Sequence, residues 1–237
     1  MDETKTGSKR ETPILEGVEC VSEGWLNKYV LTYRLPDGSE YHYESVSRKG
    51  PEEYRKALEE NGSPAREKGK PRTSQADAVC IVPMLPDGKL LLIREFRYPV
   101  NGWVVAFPAG LIDEGESMQE AIDRELMEET GCRVRTDMGS RAIAPFSQSS
   151  YASAGMGEEN ILIVRAHVER VAEPSTERGE FIEAFELAPE DVAEFMDSNE
   201  DMIGTRCQLL LDTVRRTNAL KKRIALALNP ITKEDFA

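Results

Sequence analysis

The sequence predicts an α/β layer structure: a mixed sheet with helices on both sides, preceded by a small antiparallel β-unit. Three observations carry that expectation. Short apolar and alternating runs bounded by Gly, Pro and Asp recur along the chain and read as strands. Two of the turns between them use the same Pro-Asp-Gly triplet, at Pro36–Gly38 and at Pro86–Gly88. Helical patterns after Ser117, near Pro189 and over about Thr205–Leu228 are set among and after the strands, which is the order of a layered α/β fold.

The length of 237 residues suits one full domain plus a smaller partner. The division falls near Gln75, giving an N-terminal β-domain over 1–75, with a helical insert and linker, and a larger domain over 76–237. Within the first, Glu16–Glu23, Trp25–Arg34 and Glu40–Ser47 read as strands. Three short strands bury too little to be stable alone, so the unit must pack on the rest of the chain or on a second copy. Gly50-Pro51-Glu52-Glu53 opens a helix that Gly62-Ser63-Pro64 ends, and Ala65–Thr73 is a charged linker. Residues 1–13 are polar and frayed.

In the larger domain, Ala78–Leu85 and Lys89–Phe96 form a strand pair about the second Pro-Asp-Gly turn. Trp103–Phe107, Arg133–Ala144, Ile161–Val168 and Phe181–Leu187 are further strands. Pro189 is a good first helical residue. The last helix carries Leu209, Leu210, Val214, Leu220 and Ile224 on its apolar side. Its Arg215, Arg216, Lys221, Lys222 and Arg223 read as a solvated face. Ser147–Ser153 is a Ser-rich, mobile loop.

Charge and cysteine usage narrow the function. The net charge is −13 and no basic stripe interrupts it, which excludes nucleic acid as the main partner. An acidic protein that handles an anionic substrate needs cations in its site. Cys20, Cys80, Cys132 and Cys207 are scattered without a CxxC pair, so neither zinc nor a disulfide framework is expected. The N-terminus has no signal-like apolar run and no stretch is long enough to span a bilayer; the expected compartment is the reducing cytoplasm.

The informative stretch is Gly110–Cys132. Ser117 and Glu120 form an S-x-x-E capping box that starts a helix, and Gly131 stops it. At about 100° per residue, Met118, Ile122 and Leu126 share one stripe, and Glu125 and Glu129 fall in or beside it. Carboxylates among core-facing residues are expensive unless compensated. A hard divalent cation with oxygen ligands resolves the conflict. The bland alternative is a solvated acidic helix laced by Arg124–Glu128 and Arg124–Glu120 pairs.

The full spacing favours the cation. Gly110, Glu116 and the run Arg124-Glu125-Leu126-x-Glu128-Glu129-x-Gly131 match the Nudix box, G-x5-E-x7-R-E-U-x-E-E-x-G-U, with Cys132 alone departing at its final aliphatic site. The chain therefore resembles the Nudix hydrolases, which implies an α/β/α sandwich and hydrolysis of a nucleoside diphosphate linked to a further group. The resemblance implies metal ligation by Glu125 and Glu129, with Glu116 and Glu128 as further ligands or water-positioners, and by the backbone carbonyl of Ala109. It gives Arg124 the task of orienting the glutamates. Mg²⁺ is the implied cofactor, with Mn²⁺ as its substitute.

Outside the box the chain resembles the ADP-ribose (ADP-sugar) pyrophosphatase branch. Phe107–Asp113 reproduces that branch's lead-in, and Glu95-Phe96-Arg97-Tyr98-Pro99 resembles its Q-F-R-x-P segment, which makes Arg97 a phosphate-binding residue. Ser22–Trp25 and Tyr43–Arg48 look like its N-terminal β-unit. There the resemblance implies a homodimer, adenine held between Trp25 and Tyr43, and a further substrate contact from Arg48. Gly179–Glu183 resembles the loop bearing the catalytic base, which points to Glu180, with Glu177 and Glu183 as alternatives. The chain departs from the branch at Ala106, where a glutamate is common, at Ala154, where a proline is common, and at Tyr43, which stands for a tryptophan. The expected reaction is hydrolysis of ADP-ribose to AMP and ribose 5-phosphate. Another nucleoside diphosphate sugar, or a non-catalytic ADP-ribose sensor, is the alternative.

Overall fold

A computed structural model describes residues 11–62 and 76–228, with side chains as far as Lys221. The expectations for residues 1–10, for the linker Ala65–Thr73, for the division near Gln75 and for the side chains of Lys222, Arg223 and Ile224 lie outside the described residues. In chain order the elements are β1 (Ile14–Ser22), β2 (Asn27–Arg34), β3 (Glu40–Ser47), α1 (Pro51–Gly62), β4 (Ala78–Met84), β5 (Leu90–Arg97), β6 (Gly102–Ala106) and β7 (Ala109–Leu111). There follow α2 (Met118–Thr130), β8 (Cys132–Val134), β9 (Ile143–Pro145), β10 (Ser150–Tyr151), β11 (Asn160–Arg170), β12 (Ile182–Leu187), α3 (Val192–Ser198), β13 (Met202–Ile203) and α4 (Thr205–Leu228). They group into two compact units, one of Met1–Pro71 with Ser150–Asn160 and one of Arg72–Ser149 with Ile161–Ala237.

The first unit is an antiparallel sheet in the order β1-β2-β3, with Leu31 opposite Tyr43 and Tyr33 opposite Tyr41. Its β2–β3 turn is the Pro-Asp-Gly triplet, closed by Gly38 N–H donating to Leu35 O at 2.9 Å. Alternation along β2 sends Tyr29 and Leu31 to the face that α1 covers. Tyr29 and Tyr54 stack there with ring centroids 4.7 Å apart, and the buried Tyr54 hydroxyl bonds Ser45 Oγ at 2.6 Å. A helix supplied by the insert thus gives the sheet the core it could not build alone.

The stretch read as a mobile Ser-rich loop runs into this unit. Val46 N–H donates to Met156 O at 2.8 Å, Tyr43 Oη to Gly155 O at 2.7 Å, and Ser47 Oγ to Glu158 Oε1 at 2.6 Å. A Cβ at Gly157 would stand 2.6 Å from Val46 O, so the segment approaches β3 as closely as a glycine allows. A second difference concerns Trp25. It stands in the bend before β2 rather than in the strand, because Asn27 Oδ1 accepts Gly24 N–H at 3.0 Å and breaks the regular ladder there.

The second unit is the predicted α/β/α sandwich. Its sheet runs β11-β4-β5-β6-β13, with β12 beside β5, β7 beside β4, and β8 and β9 beside β11. β4 and β11 are parallel, as are β6 and β13, while β5 is antiparallel to β6 and β12, so the sheet is mixed. The near-continuous apolar run of β4 is the signature of a strand covered on both faces. Val79 and Ile81 join Ile122, Leu126, Leu162 and Val164 on the α2 side. Cys80 and Val82 join Leu92, Phe107, Val192 and Leu211 on the side of α3 and α4. Ile122 and Leu126 are wholly buried, worth about 1.5–3 kcal/mol each in burial.

One predicted strand is interrupted. Arg133–Ala144 divides into β8, a 3-10 stretch over Thr136–Arg141 and β9. Arg135 Nη2 reaches back to Asp137 Oδ2 at 2.6 Å, and Gly139 takes a non-helical conformation that redirects the chain. Among the described residues no helix is long and apolar enough to cross a membrane.

Candidate active site

The site is organised by α2, whose start is set by sequence. Ser117 Oγ accepts Glu120 N–H at 3.3 Å and Glu120 Oε2 accepts Ser117 N–H at 2.8 Å, completing the expected capping box. At the other end Gly131 N–H donates back to Leu126 O and Met127 O. The apolar stripe faces the sheet, and the helical period carries Glu125 and Glu129 in with it. They are 9% and 6% exposed.

Each buried carboxylate meets the β7 segment. Glu129 Oε2 accepts Ala109 N–H at 3.2 Å. Glu125 lies flat against Gly110, where a Cβ would overlap its carboxylate: Oε2 would stand 2.5 Å away and the other two atoms nearer still. Only a residue without a side chain lets β7 and α2 close on that carboxylate.

Arg124 binds the rest. Its Nε and Nη2 each meet a Glu116 oxygen at 2.9 Å, Nη2 also donates to Leu111 O at 2.9 Å, and Nη1 donates to Glu125 Oε1 at 2.6 Å and to Glu128 Oε2 at 3.4 Å. One planar guanidinium therefore orients three carboxylates, a geometry that a lysine cannot reproduce. Asp113 N–H adds a bond to Glu116 Oε2 at 3.0 Å.

The charges are unevenly compensated. Hydrogen bonds from Arg124 hold the Glu116 carboxyl below its usual value. Burial pushes Glu125 up, against the opposing pull of Arg124, and the charges of Glu128 and Glu180 push it further. Glu129 is raised well above the ordinary range, first by burial and then by the charges of Glu125 and Glu95; the Ala109 N–H opposes this weakly. Negative charge thus accumulates around Glu129, to which no cationic side chain among the described residues is bonded. That donor set, all oxygen and short of positive charge, fits a hard divalent cation. With the side chains as they stand, no group of three or more His, Cys, Asp or Glu among the described residues is assembled as a ligand set. Arg124 instead holds an oxygen of Glu125 and one of Glu128.

Arg97 and Glu180 also belong to the second unit. Arg97 is ion-paired with Glu95 on β5, the carboxylate whose field reaches Glu129. Glu180 Oε2 accepts Glu177 N–H at 2.9 Å, and its charge is felt at both Glu125 and Glu129. Of the alternatives, Glu183 alternates onto the other face of β12, opposite Arg94 and away from Ala184, which packs on the α2 side. Glu95 was not singled out by sequence reasoning. Its signal was present: an acidic residue stands where the Q-F-R-x-P segment has glutamine.

The remaining candidates belong to the first unit. The Arg48 guanidinium lies 6.0 Å from the ring centroid of Trp25 and is ion-paired with Glu159. Trp25 is 80% exposed. Tyr43 lines a cleft of about 450 Å³ whose wall also includes Tyr33, Tyr41, Tyr54, Tyr151 and Met156. Trp25 is not among the residues that line that cleft.

Comparison with known proteins places this geometry. The family model described as NUDIX domain matches residues 74–204, more than half of the chain. The chain is 30% identical over 125 residues to the ADP-ribose pyrophosphatase of Bacillus subtilis (strain 168), covering 52% of this chain and 64% of that protein. It is 30% identical over 174 residues to the ADP-ribose pyrophosphatase of Saccharomyces cerevisiae, covering 69% of this chain and 64% of that one. It thus spans less than two thirds of the length of these curated relatives. A solved structure titled as an ADP compounds hydrolase shares the fold, with a TM-score of 0.61 at 22% identity over 92% of this chain and 100% of that one. The match covers the segment in which α2, capped at Ser117 and closed at Gly131, presents Glu125 and Glu129 to β7, and the chain belongs to the NUDIX domain family.

Proposed function

We propose that this chain is a divalent-metal-dependent pyrophosphatase that hydrolyses ADP-ribose to AMP and ribose 5-phosphate, or a closely related ADP-sugar to AMP and the corresponding sugar phosphate. The observation that carries the reading is the burial of Glu129 beside Glu125 and Glu95 with, among the described residues, only the Ala109 N–H as its donor. The names of the two relatives supply the substrate class.

Glu125 and Glu129 would hold the metal, with Glu116, Glu128 and the Ala109 carbonyl completing its oxygen shell; Mg²⁺ is the preferred ion and Mn²⁺ its substitute. When bound, it supplies charge neutralisation for the pyrophosphate and a more acidic water. Arg124 keeps the glutamates in register. Glu180 accepts the proton of the attacking water, and Arg97, released from Glu95, pairs with a substrate phosphate as a planar bidentate donor. Arg48 gives the second phosphate-side contact.

Adenine stacks between Trp25 of one copy and Tyr43 of another, in a homodimer formed through the N-terminal β-domain of residues 1–75, with 76–237, apart from the stretch 150–160 that joins the β-unit, as the catalytic domain. The exposure of Trp25 and its absence from the Tyr43 cleft support a shared rather than an internal sandwich. Four free cysteines, three of them buried, suit a reducing compartment such as the cytoplasm.

The test is product analysis with millimolar Mg²⁺ and ADP-ribose, ADP-glucose, GDP-mannose, NADH and ATP in parallel. ADP-ribose should be turned over best, with AMP and ribose 5-phosphate released in equal amounts. Preference for another nucleotide would overturn the substrate, and tight binding of ADP-ribose without cleavage would make the chain a sensor.

A further inference from the structure

We propose that Tyr98 is a positioning residue that fixes the loop bearing Glu180; this rests on the reading of Glu180 as the proton acceptor. The loop Glu177–Phe181 is attached to the sheet at two points, one on each side of Glu180. After it, Phe96 N–H donates to Phe181 O at 3.0 Å, extending the β5–β12 ladder by one bond. Before it, Tyr98 Oη donates to Gly179 O at 2.9 Å. Between those anchors the loop is a tight turn, with Glu180 N–H on Glu177 O at 3.1 Å and Gly179 at φ +98, a conformation that glycine adopts without strain.

Tyr98 is itself held rigidly. It begins a 3-10 turn, Tyr98–Val100, closed by Asn101 N–H on Tyr98 O at 3.1 Å. Its ring meets Phe96 edge-on at 5.5 Å, and Phe96 in turn meets Trp103 edge-on at 6.0 Å. The hydroxyl is therefore delivered from a packed aromatic stack, while the ring remains 63% exposed and contributes little to the core. Without the hydroxyl the turn keeps Phe181 on β5 and, two residues upstream, Ser175 N–H on Glu128 O at 2.8 Å, so Glu180 gains freedom between those points relative to the α2 carboxylates that feel its charge. The same residue follows Arg97 directly, so one turn sets both the proposed phosphate arginine and the proposed base.

The experiment uses the full chain with saturating Mg²⁺ and ADP-ribose, in the wild type, Tyr98→Phe, Glu180→Gln and the double variant, with amide exchange over 177–181 followed alongside. Tyr98→Phe should lower kcat about tenfold with KM nearly unchanged. It should speed exchange at Gly179 and Glu180, leave Tm within about a degree or two, and add no further loss in the Glu180→Gln background. Wild-type kcat and unchanged exchange in Tyr98→Phe, with Glu180→Gln slow, would overturn the clamp and leave Glu180 as the base. A further tenfold loss in the double variant would also overturn it. Wild-type kcat in Glu180→Gln would instead overturn the assignment of the base, and the clamp with it.

Discussion

The Glu125 carboxylate occupies the space that a side chain on residue 110 would need: a Cβ at Gly110 would overlap it, with Oε2 at 2.5 Å as the farthest of the three clashing atoms. The neighbour cannot give cheaply, because Glu125 is also bonded by Arg124 at 2.6 Å and is almost fully buried. Gly110→Ala should therefore expel Glu125 from its place. We expect AMP release to fall at least about a hundredfold, with a loss of roughly 1–3 kcal/mol in stability. Activity within threefold of the wild type would show that β7 and α2 tolerate separation.

Glu129 makes a prediction of opposite sign for stability. Burial, with the charges of Glu125 and Glu95, raises its folded-state pKa, so without metal folding disfavours the ionised carboxylate. Glu129→Gln should raise the Tm of the metal-free protein at pH 7–8. The gain should shrink as pH falls from the raised pKa toward the unfolded value of about 4.3 and vanish below about pH 3, where the carboxyl is neutral folded and unfolded. Adding Mg²⁺ should reverse the order, stabilising the wild type and leaving the variant nearly unmoved. A gain that grows with acid would contradict the account.

Arg124 should resist conservative replacement. Its guanidinium serves Glu116, Glu125, Glu128 and Leu111 O at once, and a lysine offers one point of charge for all of them. Arg124→Lys should lower kcat/KM by about tenfold to a hundredfold and weaken Mg²⁺ affinity. Titrating Mg²⁺ into each variant by calorimetry separates the two effects. An unchanged metal affinity would leave Arg124 with a purely structural task.

In the first unit, the buried pair Tyr54–Ser45 joins α1 to β3 at 2.6 Å. Tyr54→Phe should cost about 1 kcal/mol in stability, because Ser45 loses its bond to Tyr54 but keeps the one to Met156 O at 2.9 Å. It should leave chemistry at saturating substrate unaltered. Denaturant unfolding alongside kcat measures both, and an equal fall in kcat would tie α1 to catalysis directly.

Local signals carried most of the second unit. The capping box, the i, i+4 glutamates and the apolar stripe determine α2 and its burial, and all three are written within fourteen residues of Ser117. The Pro-Asp-Gly turns were equally legible, since each closes on its own neighbours. What was not legible depends on distant partners. The Tyr43–Gly155 and Ser47–Glu158 bonds span more than a hundred residues, so sequence reading stopped at a Ser-rich loop over Ser147–Ser153 and did not join the residues after it to the β-unit. Strand-like composition hid the break at Thr136–Arg141, where the Arg135–Asp137 pair and Gly139 redirect the chain. Glu95 was passed over because its weight comes from the charge on Glu129, which lies on another element.

The rate of AMP release from ADP-ribose as a function of Mg²⁺, in the wild type and in Glu129→Gln, tests the central claim most directly. The account predicts a saturable dependence on Mg²⁺ in the wild type, abolished by chelation and restored by Mn²⁺. The variant should be slower by about a thousandfold or more at every metal concentration. A wild type indifferent to the metal, or a variant that matches it, would contradict the assignment of the buried α2 carboxylates.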